Sequence, residues 1–205
     1  MTITLYTRKD TGGLVVEAAL AKAAAPHQLI QIDTERGEQN APDFVRINPM
    51  RQIPAIVFPD GTLMTESAAI VMHLADLFPA KGLAPAPATP ARARFLRWML
   101  YMATNLYEPD LRYFYPERYT SDPAGAVGIK SAAVSHMARC FAVIEAALDP
   151  FVAGRELSIA DAYLAMLMGW SPEPLKSAKL KAVLTAVTTD SDYGPVWARH
   201  GLIHE

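Results

Sequence analysis

Apolar and polar positions alternate at the start of the chain, with Ile3 and Leu5 separated and flanked by threonines, and this period of two predicts a strand of about five residues. Gly12-Gly13 interrupts it, and an alanine- and leucine-rich run over residues 14–25 predicts a helix that Pro26 ends. Residues 27–33 predict a second strand, with Leu29, Ile30 and Ile32 as its apolar members. A polar loop over 34–41 follows, and Pro42-Asp43-Phe44-Val45 opens a short helix that closes before Asn48-Pro49. A strand-helix-strand start favours a parallel pair joined by a right-handed crossover.

Three backbone problems then crowd into residues 48–76. Ile53-Pro54 precedes an apolar run over 55–58 that reads as a strand. Proline removes a ladder donor, so it belongs at a strand start, at an edge, or in a cis turn. Pro59-Asp60-Gly61 reads as a tight turn, because Asp and Gly tolerate the positive φ of hairpin connections, and residues 62–64 form the returning strand. Thr65-Glu66-Ser67 then places hydroxyl and acidic groups at a helix start, followed by Ala69, Ile70, Met72, His73, Leu74 and Leu77 at helical spacing.

Four prolines among small residues over 79–90 mark a linker, which divides the chain into a first domain at 1–78, a linker at 79–89 and an all-helical domain at 90–205. Thr89-Pro90 reads as an N-cap with proline at the first helical position. Phe95, Trp98, Met99, Met102 and Leu106 recur at helical spacing within 91–107, and Pro109 and Pro116 must end, kink or restart that helix. A long helix over 125–148 stops at Asp149-Pro150. Ser158 and Asp161 have the spacing of a capping box, in which each side chain meets the other residue's amide. Shorter helices are expected over 176–188 and 193–200.

Composition narrows the function. The 205 residues are 51% hydrophobic and 20% charged, enough apolar material for two small cores. The net charge of −2 and a pI of about 6.2 give no whole-chain basic field, so neither nucleic acid nor an anionic membrane is an expected partner. Cys140 is the single cysteine, which excludes an internal disulfide and any Cys-x-x-Cys site and reads as a small apolar residue of the 137–148 helix. The five histidines lack metal-ligand spacing, so no metal is expected. The amino terminus has no apolar core behind a basic start, and no run is read as approaching the length of a membrane span, which makes the cytoplasm the expected location.

The order Asn48-Pro49, Arg51-Gln52, Ile53-Pro54, Asp60-Gly61 and Glu66-Ser67 resembles the second half of the thioredoxin-like domain of cytosolic glutathione transferases. The stretch G-x-x-x-S-I-A-D-A around Ser158 and Asp161 resembles the buried helix start of their helical domain, where it serves structure and no chemistry. The resemblance implies an α/β thioredoxin-like domain followed by an all-α bundle, a homodimer, and glutathione as co-substrate or ligand. It implies a cis Ile53-Pro54 bond that exposes the backbone of Ile53 to pair with the extended tripeptide. It also implies that Glu66 takes the ammonium of glutathione and Ser67 its γ-glutamyl carboxylate, with Arg51, Gln52 and Arg36 for the glycyl carboxylate.

Family members activate the thiol with a Tyr, Ser or Cys near the first helix, and here Thr7 and Gly12 occupy those places. Thr11 and the amides of Gly12 and Gly13 are then the groups left to stabilise a thiolate, with Arg8 and Lys9 adding positive potential. The Asn and His that the bacterial cysteine-type branch supplies from the helical domain are replaced by Leu100 and Tyr107. Tyr107 and Tyr113, with Phe114, Tyr115 and Tyr119, provide aromatic surface for an apolar electrophile. The resemblance therefore implies a transferase that conjugates glutathione to an electrophilic apolar compound. The missing Tyr, Ser or Cys favours the alternative, a protein that binds glutathione or hydrophobic ligands with little or no turnover.

Overall fold

β1 (Ile3–Thr7) buries Ile3, Leu5 and Thr7 and leaves Thr4 and Tyr6 half-buried, as its alternating sequence dictates. The computed structural model describes residues 2–202. α1 (Gly13–Ala23) is buried almost all round, because it packs against β1 and also against the later helices Ser67–Leu77 and Gly194–His200. It ends earlier than Pro26 because Ala24 takes the left-handed conformation, with φ 50°, and closes the helix through its N–H on Ala21. β2 (His27–Gln31) runs parallel to β1 in the register Leu5 with Leu29 and forms one edge of the sheet, so its side chains are largely exposed. α2 (Pro42–Ile47) follows, starting at the expected proline.

β3 (Ala55–Val57) lies antiparallel on the other side of β1, and β4 (Leu63–Met64) antiparallel on β3, giving the order β2-β1-β3-β4. The hairpin turn is the one read from Asp60-Gly61: Gly61 has φ 87°, and Asp60 Oδ1 accepts the Thr62 N–H at 2.8 Å. α3 (Ser67–Leu77) then packs against α1. The mixed four-stranded sheet with its helices is the expected thioredoxin-like arrangement.

The second region is helical. In α4 (Pro90–Met102) the Thr89 hydroxyl accepts the Arg92 N–H at 3.1 Å and Pro90 occupies the first turn, while Phe95, Trp98, Met99 and Met102 are buried. Pro109 does not end the helix. A π-helical segment, Ala103–Tyr107, widens the turn ahead of it and carries the chain into α5 (Glu108–Phe114), so the ring falls in the first turn of α5. Pro116 opens a single 3₁₀ turn.

α6 (Gly125–Ala147) has 23 residues and contains an 18-residue window of mean hydropathy 1.2, so by length and composition it does reach the size of a membrane span. This corrects the reading that no run does: alanines and valines raise the mean although Lys130, Arg139 and Glu145 lie in the same helix. Its buried residues, Ala133, Met137, Cys140, Phe141 and Ile144, recur at three- and four-residue spacing, and it packs against α5. Cys140 is buried, with Sγ 3.4 Å from His136 Nε2.

α7 (Ile159–Trp170) is almost wholly buried and starts at a capping box closed in both directions. Asp161 Oδ2 accepts from the Ser158 N–H at 2.8 Å and from its hydroxyl at 2.9 Å, and Oδ1 accepts the Val152 N–H at 2.8 Å. α8 (Ala178–Thr189) and α9 (Gly194–His200) complete the chain's helices among the described residues.

Two compact units result: one runs through Ala84 and takes up the chain again from Val187, and the other is Pro85–Ala186. In this division α9 belongs with α1, against which it packs, and not with the helices of Pro85–Ala186. Buried apolar side chains, Val196 and Trp197, and charge pairs accompany this packing. Lys22 Nζ reaches Asp190 and Asp192 at 3.1 and 3.0 Å, and the buried Glu17 is paired with Arg199 and His200.

Burial pushes the Asp161 carboxyl up to about 6 from 3.8, although its three donors pull the other way. The folded chain therefore holds a proton that the unfolded chain has released between those values, so this group's contribution to stability falls as pH rises from about 4 to 6. The gap in stability between the parent and Asp161→Asn, from urea unfolding, is expected to be wider at pH 4 than at pH 7 by up to roughly 3 kcal/mol. Asp161→Ala strands three buried donors and is expected to cost roughly 3 kcal/mol or more at either pH.

Candidate functional site

Strand direction gathers three loops at one end of the sheet. Tyr6, at the end of β1, pairs with Ala55, at the start of β3, so the loop after Thr7 and the loop ending in Pro54 are neighbours. Ile56 pairs with Met64, so the end of β4 returns to the same level and delivers Glu66 and Ser67 there. Thr11 and Gly12 at the start of α1, Ile53-Pro54, and Glu66-Ser67 at the start of α3 are thus brought together, with two helix N-termini at one end of the sheet.

The loop after β1 is tightly tied. Thr11 Oγ1 donates to the Arg8 carbonyl at 2.7 Å and accepts the Gly13 N–H at 3.3 Å, and the Leu14 N–H donates to the Thr11 carbonyl at 2.9 Å. The one hydroxyl proton of Thr11 is therefore committed to backbone. The Gly12 N–H, by contrast, has no hydrogen-bond partner among the described residues, and Gly12 is an ordinary helix-entry residue with φ −57°. Arg8 bonds to Thr34 and to Glu35, so its charge is largely spent on the chain itself. Thr7 is fully buried against α1: a Cβ added to Gly13 would meet Thr7 Oγ1 at 1.8 Å. Glycine is required there because strand and helix approach too closely for any side chain.

The second loop has a cis Ile53-Pro54 bond, as the resemblance implied. Arg51 and Gln52 are exposed, Ile53 is half-buried and Pro54 buried. Arg51 takes a left-handed conformation with φ 58°. Asn48 organises this loop, since its buried side chain donates to the Gln52 carbonyl at 2.7 Å and accepts the Met50 N–H at 3.0 Å. At the third loop Glu66 is exposed and stands at φ 64°, ψ 99°, a region sparsely populated by residues with a side chain, while Ser67 behind it is buried. Arg36 is highly exposed and pairs with Asp33 at 3.4 Å.

The chain matches the family model described as glutathione S-transferase, N-terminal domain, over residues 15–77. It is 27% identical over 173 residues to glutathione S-transferase GstA of Escherichia coli O157:H7, covering 82% of this chain and 81% of that protein. A glutathione transferase homolog from Sulfitobacter, crystallised with bound glutathione, superposes with a TM-score of 0.89 at 26% identity over 98% of this chain and 99% of that one. BphK, a bacterial glutathione transferase solved as a ternary complex, gives 0.84 at 26% identity over 97% and 99%. These matches support the cytosolic glutathione transferase family for this chain. The matched domain model begins at Val15, just beyond Thr11, Gly12 and Gly13, so the loop that leads into α1 lies outside it.

The remaining residues named from the sequence lie in the helical unit. Tyr107, half-buried in the π-helical segment, stands edge-on to Trp170 at 5.6 Å between ring centroids and tilted against Tyr163 at 6.4 Å. Tyr113 meets Phe114 edge-on at 5.1 Å and carries Lys130 over its ring at 5.4 Å. Ser158 and Asp161 form the box already described.

Two groups escaped the sequence reading. Glu17 is buried in the middle of α1, its Oε1 bonded to Arg199 and its Oε2 lying 3.1 Å from His200 Nε2. Burial pushes its carboxyl up, but the hydrogen bonds from His200 and Arg199 outweigh it and hold it below the usual carboxylate range. The signal that points to it is one acid inside the apolar run Leu-Val-Val-Glu-Ala-Ala-Leu. His200, equally buried, accepts the Asp10 N–H on Nδ1 at 3.0 Å.

Gly13→Ala is expected to lose about 1–3 kcal/mol in a thermal or urea melt, the cost of overpacking a closed contact. Adding Thr7→Ala, which removes the hydroxyl that the new methyl would strike, is expected to restore part of it.

Proposed function

We propose that the first unit binds glutathione at the shared end of the sheet and that the protein joins its sulfur to an electrophilic apolar compound. The observation that carries this reading is the backbone of Glu66. A side-chain-bearing residue held at φ 64°, ψ 99° costs of order 1–3 kcal/mol, and such conformations persist where the surrounding structure uses them. Here it leaves an exposed carboxylate at the residue that precedes α3, within the group of loops that also holds the cis-proline. In this reading Glu66 pairs with the ammonium of glutathione, and Ser67 with the amides opening α3 takes the γ-glutamyl carboxylate. The backbone of Ile53 pairs with the tripeptide in strand fashion, and Arg51 and Gln52 meet the glycyl carboxylate. The glutathione bound in the Sulfitobacter homolog supports the ligand.

For the chemistry, the glutathione thiol loses its proton to water, and the thiolate forms a carbon–sulfur bond as the electrophile's leaving group departs with its electron pair. Only the thiolate is a good nucleophile, and a free thiol near pKa 8.5 is mostly protonated at neutrality. With the Thr11 proton committed to Arg8, the donor that remains for the sulfur is the Gly12 N–H, aided by the α1 dipole. Thr11 then acts by holding the loop. One neutral donor and a dipole lower a thiol pKa by about one unit, so turnover is expected to be slow. That same feature supports the second reading, binding of glutathione without appreciable turnover.

Calorimetric titration with glutathione, followed by an assay with a generic electrophilic aryl halide, separates the two. Glutathione binding with no conjugation above the uncatalysed rate supports the second, and no binding at all overturns both. Glu66→Ala is expected to weaken binding by about 1.5–3 kcal/mol in the same titration, as for a hydrogen bond to a charged group; unchanged affinity removes Glu66 from the site. Gly12→Ser is allowed by φ −57° and places a hydroxyl beside the free amide, so it is expected to raise the conjugation rate severalfold.

A further inference from the structure

His200 touches the candidate site from behind. Its Nδ1 accepts the N–H of Asp10, a group that can only donate, so Nδ1 carries no proton and the ring proton sits on Nε2, 3.1 Å from Glu17 Oε2. Glu17 lies four residues beyond Gly13 in α1, one turn along the helix from the residue that opens it. It is kept ionised by Arg199, whose Nε donates to Oε1 at 3.1 Å. One buried imidazole is therefore bonded at the same time to the helix and to the loop that leads into it.

The tie falls on a left-handed residue of the loop. Asp10 has φ 55°, a left-handed conformation that a residue with a side chain holds only when its surroundings specify it. It lies inside the turn closed by the Thr11 hydroxyl on the Arg8 carbonyl, and its own N–H is the one that His200 receives. Two residues later comes the Gly12 N–H. A donor stabilises a thiolate only while it is aimed at the sulfur, so whatever sets the Asp10 peptide also sets the aim of Gly12.

We propose that His200, backed by Glu17, is a positioning residue for thiol activation, holding the residue 8–12 loop so that the Gly12 N–H points at the glutathione sulfur. The inference rests on the proposed glutathione site and adds to it a component from the far end of the chain. It differs from a purely structural role, in which His200 only satisfies a buried carboxylate.

Two substitutions separate the halves of the imidazole's work. In His200→Asn the side-chain oxygen takes the place of Nδ1 and can still accept from Asp10, but the side chain is too short to reach Glu17. In His200→Gln the amide reaches the place of Nε2 and can still donate to Glu17, while the acceptor for Asp10 is lost. The thiolate of bound glutathione is titrated by ultraviolet absorbance in the parent and both variants, alongside kcat and KM with an aryl halide and hydrogen exchange at the Asp10 amide.

For His200→Gln, the expected result is a thiolate midpoint about one pH unit higher, kcat down about tenfold, glutathione KM within about threefold, and an unprotected Asp10 amide. His200→Asn is expected to rescue all of these while still melting below the parent. Equal behaviour of the two variants, whether both impaired or both normal, overturns the inference and leaves the glutathione site standing. A parent that binds no glutathione, or binds it without forming a thiolate, overturns the inference together with the conjugation reading, and calorimetry tells those two cases apart. If His200→Gln does not fold, exchange in the parent decides: an Asp10 amide as unprotected as a loop amide overturns the inference, and one protected like that of Ile32, bonded to Thr7, supports it.

Discussion

The antiparallel register of β3 against β1 is the constraint on which the rest of the first unit depends. Leu5 faces Ile56 at the centre of the sheet, and both side chains are fully buried. A one-residue slip of β3 would carry its side chains to the opposite face of the sheet, so the register is strongly held. Once it is held, the end of β1 and the start of β3 must share one end of the sheet, and the short hairpin must bring β4 back to it. The two helix starts and the cis-proline loop are placed together by strand direction alone, before any side chain of the site makes a contact. The closeness of α1 to β1, with glycine enforced at position 13 by Thr7, completes that geometry.

The two buried carboxylates show how one environment yields opposite outcomes. Glu17 and Asp161 are both almost completely removed from water. Glu17 is held below the usual range and Asp161 is raised to about 6. The difference lies in the partners. Asp161 receives only neutral N–H and O–H dipoles, which soften its desolvation without cancelling it, whereas Glu17 faces the full positive charge of Arg199 as well as a histidine. A neutral set of donors is enough to start a helix. Holding a charge inside an apolar helix takes a counter-charge.

Much of this was legible in the sequence, and what was not shares a physical reason. The strand at Ile3 and Leu5, the Asp60-Gly61 turn, the Thr89-Pro90 helix start and the Ser158–Asp161 box are local devices, whose causes lie within a few residues of their effects. The order of such devices around Ile53-Pro54 carried the family. Glu17 with Arg199 and His200 could not be paired that way, because its partners are separated from it by most of the chain. At Thr11 the residue type was read as a free hydroxyl, whereas a bond to the carbonyl three residues back had already claimed it. At Pro109 the local rule foresaw a disruption, and a π-helical widening upstream absorbed it.

The return of α9 to α1 has a consequence for how the protein is made. Synthesis runs from the amino terminus, so the strands and helices through Ala84 leave the ribosome long before Val187 does. During that interval Glu17 has neither Arg199 nor His200, and an ionised carboxylate in the middle of an otherwise apolar helix must stay hydrated. The nascent first unit therefore waits with one face of α1 open to water while the whole of the second unit is being synthesised. It closes only once Arg199 and His200 have been made.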